Sequence, residues 1–273
     1  MRALVILPAI LWLTPAGAET LGEKALRASY YQSAIPSAVE LVRQMESDLI
    51  TAMEGPADMR SLVLASLGES WSEPVVSGLV AAALEKSMSK KDIEKALKVL
   101  TPEVQAIMRD GAVPSDPNVK PHDLLWEAVK LPDAPARQAA IERIVPFLPE
   151  GAAFRGLATE LVDMMADVAA MTTGSDTKRG ELQKTYWKAL EPTIAAMNRP
   201  DGLVEGGLIA YRKRSLADLR MLADALNTPE GTKLQKAAAA AVLTGAREAR
   251  NRAIVRLHAD ISKAAKKKVA EKN

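Results

Sequence analysis

Ser215-Leu216-Ala217-Asp218-Leu219-Arg220-Met221-Leu222-Ala223-Asp224-Ala225-Leu226-Asn227-Thr228-Pro229-Glu230 reads as a helix, a tight corner and the start of a second helix. Ser215 and Asp218 have the spacing of a capping box, with Asp in place of the preferred Glu. Leu216, Leu219, Leu222 and Leu226 fall on one face. Thr228 is a workable cap, and Pro229 at a first helical position lacks only an amide that had no partner. An earlier stretch has the same plan: Ser89-Lys90-Lys91-Asp92, then Ile93, Ala96 and Leu100, then Thr101-Pro102-Glu103. Asn227 is an extra residue in the later copy. The likeness extends upstream, where Ala38-Val39-Glu40-Leu41-Val42-Arg43-Gln44-Met45 matches Ala158-Thr159-Glu160-Leu161-Val162-Asp163-Met164-Met165. The repeat predicts a helical unit used twice, because its matched positions are caps and core faces.

The rest of the chain agrees with an all-α fold. No sustained period-two alternation occurs, and apolar residues recur at three and four. Ala38, Leu41, Val42, Met45, Leu49 and Ala52 trace one face, and Leu157, Leu161, Met164, Met165 and Val168 trace another. Aromatics are only 4% of the 273 residues, so Leu, Ala, Val, Ile and Met must build the core. Gly55-Pro56, Ser72-Glu73-Pro74, Gly174-Ser175-Asp176 and Arg199-Pro200-Asp201-Gly202 punctuate the helices. The densest break, Gly111 to Pro121, predicts a Pro-rich linker, followed by a small helical insert up to 149. The expected units are therefore 19–110 and 150–245. The last helix should run from about Thr228 or Gly231 to near Lys268, through the five alanines Ala237 to Ala241 and past Gly245. Residues 246–273 form its basic end.

The N-terminus predicts export. Arg2 is a minimal positive region, Ala3 to Leu13 is apolar, and Ala16-Gly17-Ala18 is a small-residue cleavage site. Cleavage after Ala18 would leave Glu19 first. An apolar run this short cannot cross ~30 Å of hydrocarbon as a helix. The expected product is soluble and periplasmic. The chain has no cysteine, which excludes disulfides, thiolate metal sites and thiol nucleophiles. With 36 basic and 34 acidic residues, the charge gives no general pull towards nucleic acid.

Chemistry-bearing patterns are sparse. His122 and His258 stand far apart, without H-E-x-x-H or clustered carboxylates, so no metal is expected. Ser87-Met88-Ser89-Lys90 has the S-x-x-K form but lacks its S-D-N and K-T-G partners. Eleven methionines against two phenylalanines fit core filling, an adaptable partner groove or, less simply, copper(I) ligation. Trp71 and Trp187 each precede a Glu-Pro, and with Tyr186 read as packing anchors. A helix N-terminus favours anions, so Thr228, Gly231 and Lys233 form the candidate anion or partner corner. One glycine cannot make the cradle of a Walker loop. Gly231 is expected to admit a neighbouring helix, and Lys233 to pair with Glu230 or face solvent. The basic run Arg247 to Lys268 suits a helix C-terminus, and could also contact anionic lipid.

Tyr211-Arg212-Lys213-Arg214-Ser215-Leu216-Ala217-Asp218-Leu219, followed by Asn227-Thr228-Pro229-Glu230-Gly231-Thr232-Lys233, resembles the signature of an exported bacterial family, domain of unknown function 2059. Thr228 replaces that family's serine, and Ala225-Leu226 stand where an aromatic pair is usual. The resemblance covers about residues 155 to 245. In the first copy Val104 and Ala106 stand where Gly231 and Lys233 stand. The resemblance implies a helical, exported protein and supplies no catalytic residue. No catalytic residue, cofactor or metal ligand is therefore assigned. The expected function is binding of an unidentified protein or small molecule. An envelope hydrolase with an unrecognised site and peripheral membrane association are the alternatives.

Overall fold

The computed structural model describes residues 19–52, 57–110, 121–148, 152–173, 175–197 and 199–270. The expected signal segment 1–18, residues 111–120 of the Pro-rich stretch and the corners at Gly55-Pro56 and Pro149 to Gly151 lie outside them. Among the described residues the chain is helical and contains no strand. The expected all-α class is what the structure has. None of these helices is long and apolar enough to cross a membrane.

The first half runs α1 (Leu21–Arg27), a 3₁₀ turn (Tyr30–Gln32), α2 (Ala34–Ala52), α3 (Ala57–Ser70), α4 (Glu73–Ser87), α5 (Lys90–Val99) and α6 (Pro102–Asp110). The second runs α7 (Pro121–Val129), α8 (Ala134–Ile144), a 3₁₀ turn (Val145–Phe147), α9 (Ala152–Thr173), α10 (Asp176–Met197), α11 (Pro200–Ala210), α12 (Leu216–Leu226) and α13 (Pro229–Ala270). The helix starts fall where the caps require. Ser89 Oγ accepts from Asp92 N at 3.1 Å, and Ser215 Oγ accepts from Asp218 N at 3.1 Å. Only Ser215 has the return bond, its own N–H donating to Asp218 at 3.2 Å, which completes the box. Pro102 and Pro229 each open their helix.

α13, 42 residues long and so about 63 Å, is the axis of the molecule. It packs against α3, α4, α5 and α9. Its buried stripe is Leu234, Ala238, Ala241, Val242, Ala246, Ala249, Ala253 and Leu257. The prevalence of alanine lets neighbouring backbones come close. At Gly245 the approach of α4 is close: an added Cβ would lie 2.6 Å from Val80 Cγ2 and 3.0 Å from Val80 N. The glycine therefore sets the α4–α13 contact and does not interrupt the helix.

The two spans share one core. A single contiguous cluster of buried apolar side chains runs from Ala25 to Leu257. Ile93, Ala96 and Leu100 in the first span are buried, as are Leu219, Leu222 and Leu226 in the second. α8 packs on α12 and α7 on α11, so the expected insert contributes Leu124, Ala128, Ile141 and Ile144 to that core. The end of each span also crosses to the other: α6 packs on α12, and α13 on α5.

Candidate functional site

The corner at Thr228 to Lys233 is where sequence placed an anion or partner. Thr228 Oγ1 donates to Ala225 O at 2.8 Å and accepts from Gly231 N at 3.0 Å. Thr232 Oγ1 donates to Leu226 O at 3.0 Å. These bonds satisfy the last carbonyls of α12 and a first amide of α13. Gly231 is buried, and a Cβ there would meet Ala225 O at 2.2 Å. The close neighbour is thus the last turn of α12, so the glycine admits that neighbouring helix, as expected. Lys233 is placed differently from its expectation. Its Nζ reaches Asp92 across the spans at 2.8 Å, because α13 lies on α5. The Lys233 hydrogen bond, followed by that from Ser89, holds the Asp92 carboxyl below its ordinary pKa. The corner joins the halves and leaves its polar groups occupied.

A reciprocal contact stands on the other side. Arg214, just before the Ser215 cap, donates to Asp110 at 2.7 Å and to Ala106 O at 3.3 Å on α6. Asn227 donates from Nδ2 to Ala223 O at 2.7 Å and to Arg143 O at 3.1 Å. It caps α12 and ties it to α8.

The four arginines of the basic run are engaged from within. Glu160, Asp163 and Asp167 lie along α9 and meet Arg250 Nη atoms at 3.2, 3.3 and 2.6 Å. Arg247 adds a 2.9 Å pair to Glu160, and Arg179 of α10 a 2.9 Å pair to Asp167. Burial opposes the Arg250 charge, but Asp167, then Glu160 and Asp163, outweigh it and hold its pKa above the ordinary value. Arg252 pairs with Glu248, and Arg256 with Glu69. The apparent tail is thus partly an internal clamp of α9, α10 and α13.

A second polar node links the spans. Tyr30 and Tyr211 meet hydroxyl to hydroxyl at 2.7 Å, both buried. Gln235 of α13 accepts from Tyr30 N at 3.2 Å and donates to Ala28 O at 3.3 Å. Burial pushes the Tyr30 hydroxyl well above its ordinary pKa, with Tyr211 adding to it. Burial pushes Tyr211 up to about 12. Both hydroxyls stay protonated at neutral pH and act as neutral hydrogen-bonding groups.

The tyrosine node underlies an open cleft of about 280 Å³. It lies where α1 turns into α2, facing the start of α4 and the last turn of α6. Ser29, Tyr30 and Met108 are its buried lining. Gln32, Ser33 and Pro36 come from the turn, and Arg27, Glu73 and Arg109 bring charge. Arg27 is paired with Glu19. Glu73 and Arg109 form no ion pair with each other or with any other described residue. Ser29 Oγ donates to Leu26 O at 2.7 Å, and Ser33 Oγ to Tyr30 O at 2.8 Å. The cleft's serine hydroxyls are therefore committed to the backbone, the Tyr30 hydroxyl is committed to Tyr211, and no histidine is in the lining. It can hold a ligand by charge and apolar contact, but it presents no nucleophile with a base.

The other motifs have structural settings. Ser87 Oγ donates to Leu84 O at 3.1 Å, while Ser89 caps α5, so the S-x-x-K hydroxyls are used locally. Met164 and Met165 are fully buried in the core, and no side chain of Met45 is described. Trp71 and Tyr186 are buried, and Trp187 packs at the core's edge. His122 and His258 are exposed on separate helices, α7 and α13. Among the described residues no group of three or more His, Asp or Glu is placed to hold a metal. Sequence reasoning missed the cleft altogether, because it is assembled from turns far apart in the chain. Its one local signal is Tyr30-Tyr31 next to Arg27 in an otherwise aromatic-poor chain.

Compared with protein-family models, curated proteins and solved structures, the chain matches none.

Proposed function

We propose that this is an exported, soluble, non-catalytic binding protein whose ligand site is the cleft between the α1–α2 turn, α4 and α6. The observation that carries the reading is the pair of unpaired charges, Glu73 and Arg109, above a buried apolar floor. A few placed polar groups over apolar lining are the usual make-up of a small-molecule site. Export is supported by the signal-like N-terminus. Kinship of residues 155–245 with domain of unknown function 2059 belongs to the same proposal. Its support is that Tyr211, the Ser215–Asp218 box and the Thr228–Lys233 corner each hold a defined joint of this fold. Membrane contact through Arg247 to Lys268 has less support, since Arg247, Arg250, Arg252 and Arg256 are all in ion pairs.

The chain's lack of cysteine supplies the test. A Ser33→Cys variant can be alkylated at one position with a bulky maleimide, filling the cleft mouth. Thermal-shift screening of small metabolites is run on both forms. A ligand present at 100 times its Kd adds about 2.7 kcal/mol to stability, which corresponds to several degrees for a chain of this size. Ligands that stabilise only the unblocked protein support the cleft. Ligands that stabilise both forms equally, or that are turned over, contradict the proposal.

A further inference from the structure

We infer that the cleft takes a small zwitterion with an apolar side group, of the size of an apolar amino acid or a dipeptide. The inference rests on the cleft being the ligand site and goes on to name the ligand's chemistry.

The charges lead to it. Arg109 is in the last turn of α6, and Glu73 is the first residue of α4. They approach the same cleft from different helices. Neither forms an ion pair with the other or with any other described residue. Arg27, the remaining charge on the lining, is already taken by Glu19. What is left is one free cation and one free anion across a gap. A simple anion would meet Arg109 but also the Glu73 carboxylate, and a simple cation would face the reverse conflict. A molecule with a carboxylate at one end and an ammonium at the other meets both. Arg109 offers the forked donors that suit a carboxylate. Glu73 offers acceptor oxygens only, which suits an ammonium.

The floor and the volume narrow it further. Met108 and Tyr30 are buried beneath the cleft, and Pro36 lines its side. Methionine adapts to irregular apolar shapes. Ser29, Ser33 and Tyr30 have partners already, so among the uncharged polar side chains of the lining only the exposed Gln32 amide is uncommitted. A volume of about 280 Å³ is near the lower bound of small-molecule sites, which run from about 300 Å³. That suits a ligand of about dipeptide size.

Calorimetric titration and amide chemical-shift mapping of the isotopically labelled protein test this together. The probes are L-leucine, alanyl-leucine, N-acetyl-alanyl-leucine and alanyl-leucine amide. The proteins are the wild type, Glu73→Gln and Arg109→Gln. Both substituted residues are exposed, so neither change disturbs the core. In the wild type, acetylation or amidation should each weaken binding about tenfold or more, the worth of one charge-assisted contact. In Glu73→Gln the acetylated and parent dipeptides should bind equally. In Arg109→Gln the amide and parent should bind equally. This crossed pattern is not produced by a general loss of structure. Acetylated dipeptide binding the wild-type cleft as well as its parent overturns the zwitterion and leaves the cleft as an anion site. Zwitterion binding that neither variant alters also overturns it, placing the ligand elsewhere. If no probe shifts any cleft resonance, the inference falls. If the blocked-cleft screen then also yields no ligand, the reading of the cleft as a site falls with it.

Discussion

Replacing Arg250 by Met should be among the more damaging single changes outside the apolar core. The Arg250 guanidinium meets Asp167 at 2.6 Å, Glu160 at 3.2 Å and Asp163 at 3.3 Å. The Glu160 side chain is 9% exposed and that of Arg250 21%, so water replaces little of what the arginine supplies. Breaking a buried ion pair from one side costs about 3–5 kcal/mol, because a desolvated charge is stranded. Two features reduce that here. Arg247 still reaches Glu160 at 2.9 Å, and Arg179 and Gln183 still reach Asp167 and Asp163 at 2.9 and 2.7 Å. Met also fills part of the space left by the arginine stem. We therefore expect a loss of about 2–3 kcal/mol, a drop in Tm of roughly 5–10 °C at this chain length. The assay is urea unfolding followed by far-ultraviolet circular dichroism, with the midpoint compared at unchanged slope. The double variant Arg250→Met, Glu160→Gln should recover part of the loss, since it removes a stranded charge. A midpoint for Arg250→Met within error of the wild type, or a double variant no better than the single, would refute a clamp between α9 and α13.

Gly245→Val should destabilise by about 1–3 kcal/mol or more, because its Cβ meets the Val80 backbone and that backbone cannot step aside. Gly206→Ala is the control: nothing lies within 4 Å of its added Cβ, so helix propensity alone should stabilise by up to ~1 kcal/mol, read from the same urea curves. Tyr30 and Tyr211 carry raised pKa values, so the folded state keeps protons that the unfolded state gives up near pH 10. Their contribution is full below about pH 10 and is lost as pH rises towards about 12, so stability should fall across that window. Ultraviolet tyrosinate titration should show at least two of the four tyrosines ionising late, and four ordinary titrations would contradict the buried pair. Mass spectrometry of the protein expressed in a Gram-negative host should find Glu19 as its N-terminus, whereas an intact Met1 would contradict export.

What was legible in the sequence was local. Ser89, Ser215, Pro102 and Pro229 mark helix starts by chemistry that acts within one turn, and each stands where its helix begins. Ile93, Leu100, Leu219 and Leu226 were readable as core by spacing alone. Long-range pairing was not readable in this way. Lys233 had nearby acids in sequence, but α13 crosses to α5 and delivers it to Asp92 instead. The arginines at 247 and 250 read as a basic tail, because nothing local shows that Glu160, Asp163 and Asp167 lie along α9 facing them. A hint was present: those three acids interrupt an otherwise apolar helix, where Leu157, Leu161 and Met164 are buried. The cleft left still less trace, since Arg27, Glu73 and Arg109 come from three helices and become neighbours only on folding.

The measurement that bears most directly on the account is chemical-shift mapping of the protein titrated with alanyl-leucine, including the arginine side-chain resonances. The account predicts saturable shifts concentrated at Arg109, Glu73, Ser33 and Gln32, with the Thr228–Lys233 corner unmoved. Shifts centred on Thr228, Gly231 and Lys233, or saturable binding that leaves the Arg109 resonance in place, would contradict it.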